Sequence, residues 1–288
     1  MNFFSVADNP KGYITFPFYY NGKPVAGFKA GLTLKSSGSM RFRWNEINTD
    51  RDKKLTQIIR ENASSKNIQI APVEQIHSKI VYSISKPYDT SGLTGDGIIT
   101  MNPEIMPVVT VADCMPLYLY DSKKKVFGIV HSGWKGTGIA VEAIKLACRE
   151  YGSAPEDFSV VLGPHIKSCC YIVNEERASY FAENFTPECV VPLEENGNCC
   201  CGGKGLPVPW NNGNGKLFRL SLKKANLWAL QKAGVRDENI SVCESCTCCS
   251  DFLGSNRRET ATATASAKAE TVDVSRAFTV MAAFVISD

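Results

Sequence analysis

The chain has 288 residues, 44% of them hydrophobic and 21% charged, with a formal net charge of +3. That composition suits a globular protein with a sizeable core, and the charge is too small to argue for a nucleic-acid or anionic-membrane partner. No apolar run approaches the about 20 residues that a bilayer-spanning helix needs, and Met1 to Asp8 lacks the basic and apolar regions of a signal peptide, so a cytoplasmic location is expected.

In chain order, Tyr13 to Tyr20, the turn dipeptide Asn21-Gly22 and Val25 to Leu34 read as a hairpin. Thr49 to Ala63 carries a helical stripe of Leu55, Ile58 and Ile59. Ile68 to Ile76, Lys79 to Ile84 and Gly97 to Thr100 are short strands. Val111 to Tyr120 and Val126 to Val130 are apolar runs joined by the polar segment Asp121 to Lys125, which predicts a second hairpin. A helix over Gly136 to Tyr151 and a strand over Ser159 to Leu162 follow. Helices over Glu175 to Phe185 and Leu220 to Ala233 come next, the latter closed by Gly234. Ile240 to Cys243 and Phe278 to Ile286 are the last strands. Residues 194–215, rich in Gly, Asn, Pro and Cys, read as a long loop, and Thr260 to Glu270 as a surface excursion. Strands and helices mix throughout, with a hairpin at the centre. That predicts a single α/β (α+β) domain over residues 1–288, a layered sandwich with a mixed β-sheet core. No dinucleotide-binding or Walker loop is present.

The chain has three histidines, and two of them, His77 and His131, flank Cys114. Two imidazoles and one thiolate make a three-ligand set for zinc, with a fourth position for water or substrate. If the central hairpin turns at Ser122 and Lys123, Cys114 lies directly opposite His131, at a spacing that suits two ligands of one metal. Two other readings stand beside this one. In the first, the histidines are hydrogen-bonded loop residues and Cys114 is a buried thiol. In the second, Cys114 and His131 form the nucleophile and base of a cysteine hydrolase. Copper is the alternative metal, although a blue-copper centre wants a weak axial ligand and Met115 would point to the opposite face of a strand. Gly133 to Gly138 opens a helix, so its amides, Gly136 among them, together with Lys135 predict an anion site. Asp113 either orients a ligand, acts as a general base or caps a turn. The chain has twelve cysteines. Those at Cys169-Cys170, Cys199 to Cys201 and Cys243, Cys246, Cys248 and Cys249 are expected to be reduced thiols outside the ligand set, a second zinc site or redox pair in the last group being the other reading.

Taken together, several ordered motifs resemble the laccase-domain family, also called multicopper polyphenol oxidoreductases, which includes bacterial purine nucleoside phosphorylases. They are Gln75-Ile76-His77, Gly95 to Thr100, Ala112 to Leu117, His131 to Gly136, Leu162 to Ile166 running into Cys169-Cys170-Tyr171, Leu222 to Asn226, Cys246-Thr247, Ser255 to Arg258 and Met281 to Ala283. The resemblance implies an α/β sandwich with zinc on His77, Cys114 and His131. It also implies phosphorolysis of adenosine, inosine or methylthioadenosine, and deamination of adenosine, with a purine nucleoside and inorganic phosphate as partners. A copper-dependent, laccase-like polyphenol oxidase is the alternative activity that the family name carries. Catalytic roles fall to Cys114, His131, Asp113 and Lys135, and phosphate contacts to Lys135, Arg41, Arg43 and Gly136, with Arg257 and Arg258 as further cations. The chain departs from the family pattern in three places. Arg41-Phe42-Arg43-Trp44-Asn45 stands where a Gly-Gly-Val-Ser segment is usual, His165 occupies a position usually held by cysteine, and residues 194–215 and 260–276 look like insertions.

Overall fold

Alternating side chains along the strands set the layers. In the strand Met115–Asp121, Leu117 and Leu119 face one apolar cluster while Tyr118 and Tyr120 face another. In Met281–Ser287, Ala283 and Val285 join that second cluster while Ala282, Phe284 and Ile286 face a third. A computed structural model, describing residues 1–65, 67–193, 215–266 and 277–288, shows the two sheets that this pattern requires. In spatial order the seven-stranded sheet runs Asn2–Phe4, Ile240–Cys243, Phe158–Leu162, Met115–Asp121, Phe127–Ser132, Gly97–Thr100 and Val81–Ser83. The five-stranded sheet runs Tyr13–Tyr20, Lys23–Thr33, Met281–Ser287, Ile105–Val111 and Gln69–Pro72. Both sheets are mixed. A small third sheet pairs Ile172–Asn174 and Val190–Pro192 with Leu217–Leu220.

The two large sheets stack on the cluster containing Phe16, Phe18, Leu32, Tyr118, Tyr120 and Phe127. Helix Thr49–Asn62 packs on the outer face of the five-stranded sheet through Leu55, Ile58 and Ile59. Helices Ile139–Tyr151, Glu175–Asn184 and Leu222–Lys232 cover the outer face of the seven-stranded sheet. The result is the layered α/β sandwich with a mixed core that the sequence predicts. The first hairpin forms because Asn21 and Gly22 both take positive φ, 49° and 72°, as a tight turn between twisted strands demands.

Two readings are corrected. The apolar run from Val111 to Tyr120 is not one strand. Val111 ends a strand of the five-stranded sheet, and Met115 begins one of the seven-stranded sheet. The central turn is also longer than expected. The Asp121 carboxylate accepts the Lys123 and Lys124 amides at 2.8 and 2.9 Å, and the Asp121 amide reaches the Val126 carbonyl. His131 therefore pairs with Pro116 and not with Cys114. The stretch expected as a surface excursion from Thr260 is helical at its start, within Asn256–Ser266. The long loop expected at 194–215 falls, except for residue 215, outside the described residues, as do Cys199 to Cys201 and residues 267–276.

Phe284 is wholly buried, between the five-stranded sheet and its helix, with its ring against Gly31. Phe284→Ala is expected to cost about 3–5 kcal/mol, read as a lower midpoint at unchanged slope in urea unfolding.

Candidate metal centre

Topology places three donors at one edge of the sandwich. Gln69–Pro72 and Ile105–Val111 are parallel neighbours, so their C-terminal ends leave the five-stranded sheet on the same side. Each then crosses to the seven-stranded sheet, the first through His77 and the second through Asp113 and Cys114. Strand Phe127–Ser132 ends beside the start of Met115–Asp121 and brings His131 to the same edge. The ligand atoms of His77, Cys114 and His131 all lie within 4.8 Å of one another. The two imidazole rings meet nearly edge to face, with centroids 4.9 Å apart.

Both crossings bend sharply. His77 has φ 58° and Asp113 has φ 81°, left-handed values that cost a non-glycine residue energy and need support from their surroundings. At His77 the support comes from Asp96, which is wholly buried. Its carboxylate accepts the amides of His77 and Ser78 and the Ser78 hydroxyl. The same carboxylate meets Nδ1 of His131 at 2.9 Å, and the Asp96 carbonyl accepts the His131 amide at 2.7 Å. A proton on Nδ1 shared with Asp96 leaves Nε2 of His131 as the donor, the carboxylate–histidine arrangement that orients metal ligands. Burial works to raise the Asp96 pKa, but its bonds to His131 and Ser78 hold it lowered.

The electrostatics of the protein groups favour a thiolate at Cys114. Burial opposes ionisation of Cys114, yet His131 and His77 bring its pKa down to about 6. Burial likewise opposes a charged His131, but the Cys114 thiolate and Asp96 raise it to about 9. Gly133 completes the cradle. A Cβ built there would stand 3.0 Å from Cys114 Sγ and 3.4 Å from Cδ2 of His77. Nearby, a Cβ on Gly136 would approach the Ser78 carbonyl to 2.9 Å. The donor set, its spacing and the space that Gly133 leaves all fit one tetrahedral ion with an open position.

The three donors line a cavity of about 400 Å³ whose walls include Arg41, Phe42, Arg43, Trp134, Tyr171 and Arg257. This volume lies in the range of small-molecule sites. Arg41 pairs with Glu46 at 3.3 Å and Arg43 with Glu74 at 3.7 Å.

Three residues expected at the site do other work. Lys135 is exposed, lies 5.4 Å from the Trp134 ring and is not among the lining residues. Gly136 backs the turn at Ser78. The helix start is satisfied from within the protein, because the buried Asn226 side chain accepts from the Gly138 amide and the Ser132 hydroxyl. Asp113 lines the cavity, but its carboxylate is turned to other partners. Its carboxylate accepts from Thr247 Oγ1 and the Arg257 amide, both at 2.6 Å, at the start of the Asn256–Ser266 helix. Burial raises its pKa against those bonds. Arg258 is structural, its guanidinium donating to the carbonyls of Thr247, Cys248, Ser250 and Leu253.

Asp96 and Asn226 stand in motifs visible in the sequence, Gly95 to Thr100 and Leu222 to Asn226, but their supporting bonds appear only in the structure. The legible signal for Asp96 was an acidic residue between two glycines just before a strand. A Cβ at Gly97 would come within 2.6 Å of Val130, and one at Gly95 within 2.8 Å of Tyr82.

Residues 29–267 match the family model described as multi-copper polyphenol oxidoreductase laccase. The chain is 28% identical over 262 residues to the purine nucleoside phosphorylase YlmD of Geobacillus stearothermophilus, covering 83% of this chain and 88% of that one. It is 32% identical over 190 residues to a purine nucleoside phosphorylase of Aquifex aeolicus, covering 65% and 75%. The crystal structure of YlmD from Geobacillus stearothermophilus is similar with a TM-score of 0.69 and 25% identity, over 94% of this chain and 96% of that one.

Asp96→Asn keeps the shape of the carboxylate but loses its charge. It should lower zinc affinity by about 10–100-fold, measured by competition with a chromophoric chelator, with the circular dichroism spectrum unchanged. Unaltered affinity would remove Asp96 from the account of the site.

Proposed function

The chain belongs to the multi-copper polyphenol oxidoreductase laccase family, and from that premise we propose that it is a zinc-dependent purine nucleoside enzyme. Its reactions are phosphorolysis of adenosine, inosine or methylthioadenosine, and deamination of adenosine. The observation that carries this reading is an open His77–Cys114–His131 set on the wall of a cavity that also holds three arginines and several aromatic rings. The relatives named purine nucleoside phosphorylases supply the substrate class.

When bound, zinc supplies Lewis acidity sufficient to bring the ionisation of a coordinated water toward neutral pH. The protein's own residues do the rest. Asp96 fixes His131 and the His77 turn, so the donors need no reorganisation. Phe42, Trp134 and Tyr171 offer apolar faces against which a purine stacks. Arg41, Arg43 and Arg257 bring positive charge into the cavity, where phosphate and the charge developing on a leaving purine would be held. Arg41 and Arg43 thus keep the phosphate role expected of them, without Lys135.

Adenosine, inosine and methylthioadenosine incubated with and without phosphate, then separated by chromatography, decide the reading. Ribose 1-phosphate or its methylthio analogue, or inosine from adenosine, is the expected product. No product from any of the three with zinc-loaded protein overturns it. A copper-dependent polyphenol oxidase is the second reading, favoured by the family description and by a donor set that copper also accepts. It predicts stoichiometric copper and oxygen-dependent oxidation of phenols.

Two variants sharpen the proposal. Cys114→Ala should lower nucleoside turnover more than about 100-fold, while a thermal melt in chelator stays cooperative at the wild-type midpoint. A sandwich this size does not depend on one catalytic ion for folding. The double variant Arg41→Ala, Arg43→Ala should slow phosphorolysis more than deamination, since only the former needs phosphate. Equal losses would place the phosphate elsewhere.

A further inference from the structure

A second group of donors lies outside the site described above. Strands Phe158–Leu162 and Ile240–Cys243 are parallel neighbours, so their C-terminal ends also leave the seven-stranded sheet together. Each leads into a tight turn that carries cysteines, two in the first and three in the second. In the first, the amides of Cys170 and Tyr171 both donate to the Lys167 carbonyl; in the second, those of Cys249 and Ser250 donate to the Cys246 carbonyl. The sulfurs of Cys169, Cys170, Cys246 and Cys249 all lie within 4.8 Å of one another. Cys170 and Cys246 are buried, and Cys169 and Cys249 sit nearer the surface.

We propose that Cys169, Cys170, Cys246 and Cys249 form a closed, four-thiolate structural zinc site. Three observations carry it. First, the Cys169–Cys170, Cys169–Cys249 and Cys170–Cys249 sulfur separations are 3.7, 3.7 and 3.4 Å. A tetrahedral ion with zinc–sulfur bonds of about 2.3 Å sets its sulfurs roughly 3.8 Å apart. These separations exceed a covalent sulfur–sulfur bond and leave room for one ion, not for a multi-iron cluster. Second, the Lys167 amide donates to Cys246 Sγ at 3.4 Å, the kind of backbone bond that stabilises a metal-bound thiolate. The excess negative charge of four thiolates is further offset by Arg219, which donates to the Cys169 carbonyl at 2.8 Å, and by Arg258 on the Cys248 carbonyl. Third, the donors come from two turns far apart in sequence, and an ion there would pin them together.

That pinning has a consequence for the cavity. Thr247 lies between two of the ligands in sequence, and its hydroxyl holds Asp113, the neighbour of Cys114. Its amide donates to the His165 carbonyl, while the Ile166 amide donates to the Asp113 carbonyl. The second ion therefore holds the crossing on which Cys114 rides. Cys246 and Cys249 are free thiols, as expected, and they converge with Cys169 and Cys170, which favours the second zinc site that the sequence offered as the other reading. The proposal does not depend on the nucleoside reading, and its test reads metal, not turnover.

Protein purified without added metal and dialysed should carry two zinc ions per chain by elemental analysis. Cys114→Ala should retain one, released slowly to a chelator. Cys169→Ser, Cys249→Ser should also retain one, with a lower melting temperature, whereas Cys248→Ser should retain both. Cobalt-substituted Cys114→Ala should show the intense charge-transfer absorption of all-thiolate coordination. A single zinc in the wild-type chain together with none in Cys114→Ala overturns the proposal, even if the double variant fails to fold. So does iron in place of the second zinc, or a disulfide among these four cysteines found by mass spectrometry of unreduced protein.

Discussion

The buried carboxylate of Asp96 is the constraint on which the candidate site rests. An ionised carboxylate removed from water must find partners or lose its charge. Asp96 finds them in the ring and amide of His131, the amides of His77 and Ser78, and the Ser78 hydroxyl. Each partner belongs to a segment that carries or adjoins a donor. One desolvated charge thus holds a left-handed turn in place, selects the tautomer of a buried imidazole and draws two strands' ends together. Strain at His77 persists because these bonds over-determine it.

Around that charge the absence of side chains matters as much as their presence. Gly133 leaves the volume in which an ion would sit, and Gly136 lets the turn at Ser78 close on the start of the long helix. Asn226 satisfies the Gly138 amide from the facing helix and ties the Ser132 hydroxyl to it. The helix N-terminus is thereby absorbed into the packing. Positive charge in the cavity comes instead from arginines on separate segments, Arg41 and Arg43 before the first helix and Arg257 at the start of Asn256–Ser266. Binding and support are thus divided. Side chains on the crossings face the cavity, and bonds behind them hold those crossings still.

Much of the architecture was legible because the signals are local. Asn21-Gly22 announces its turn, Leu55, Ile58 and Ile59 mark a helix face, and Gly97 to Thr100 is a strand as read. The donor types were legible too, since two histidines and a cysteine in Gly-rich contexts are a chemically coherent set. The predicted route to their convergence was wrong. Cys114 does not oppose His131 in a hairpin, because Asp121 folds its carboxylate over two amides and lengthens the turn. The run Val111 to Tyr120 also concealed a change of sheet, since apolar character is the same on both sides of Asp113.

Composition and periodicity, then, determined the layers, the approximate elements and the identity of three candidate ligands, because each depends on residues close in the chain. Which strands run parallel, and so which chain ends emerge at a common edge, was decided by tertiary structure alone. That choice brings His77, Cys114 and His131 together, places Asp96 beneath them and sets Lys135 outside the cavity. The same parallel pairing gathers Cys169 and Cys170 with Cys246 and Cys249 across more than seventy intervening residues. Side chains so distant in sequence meet only after the sheet has formed, and no local pattern encodes the register that joins them.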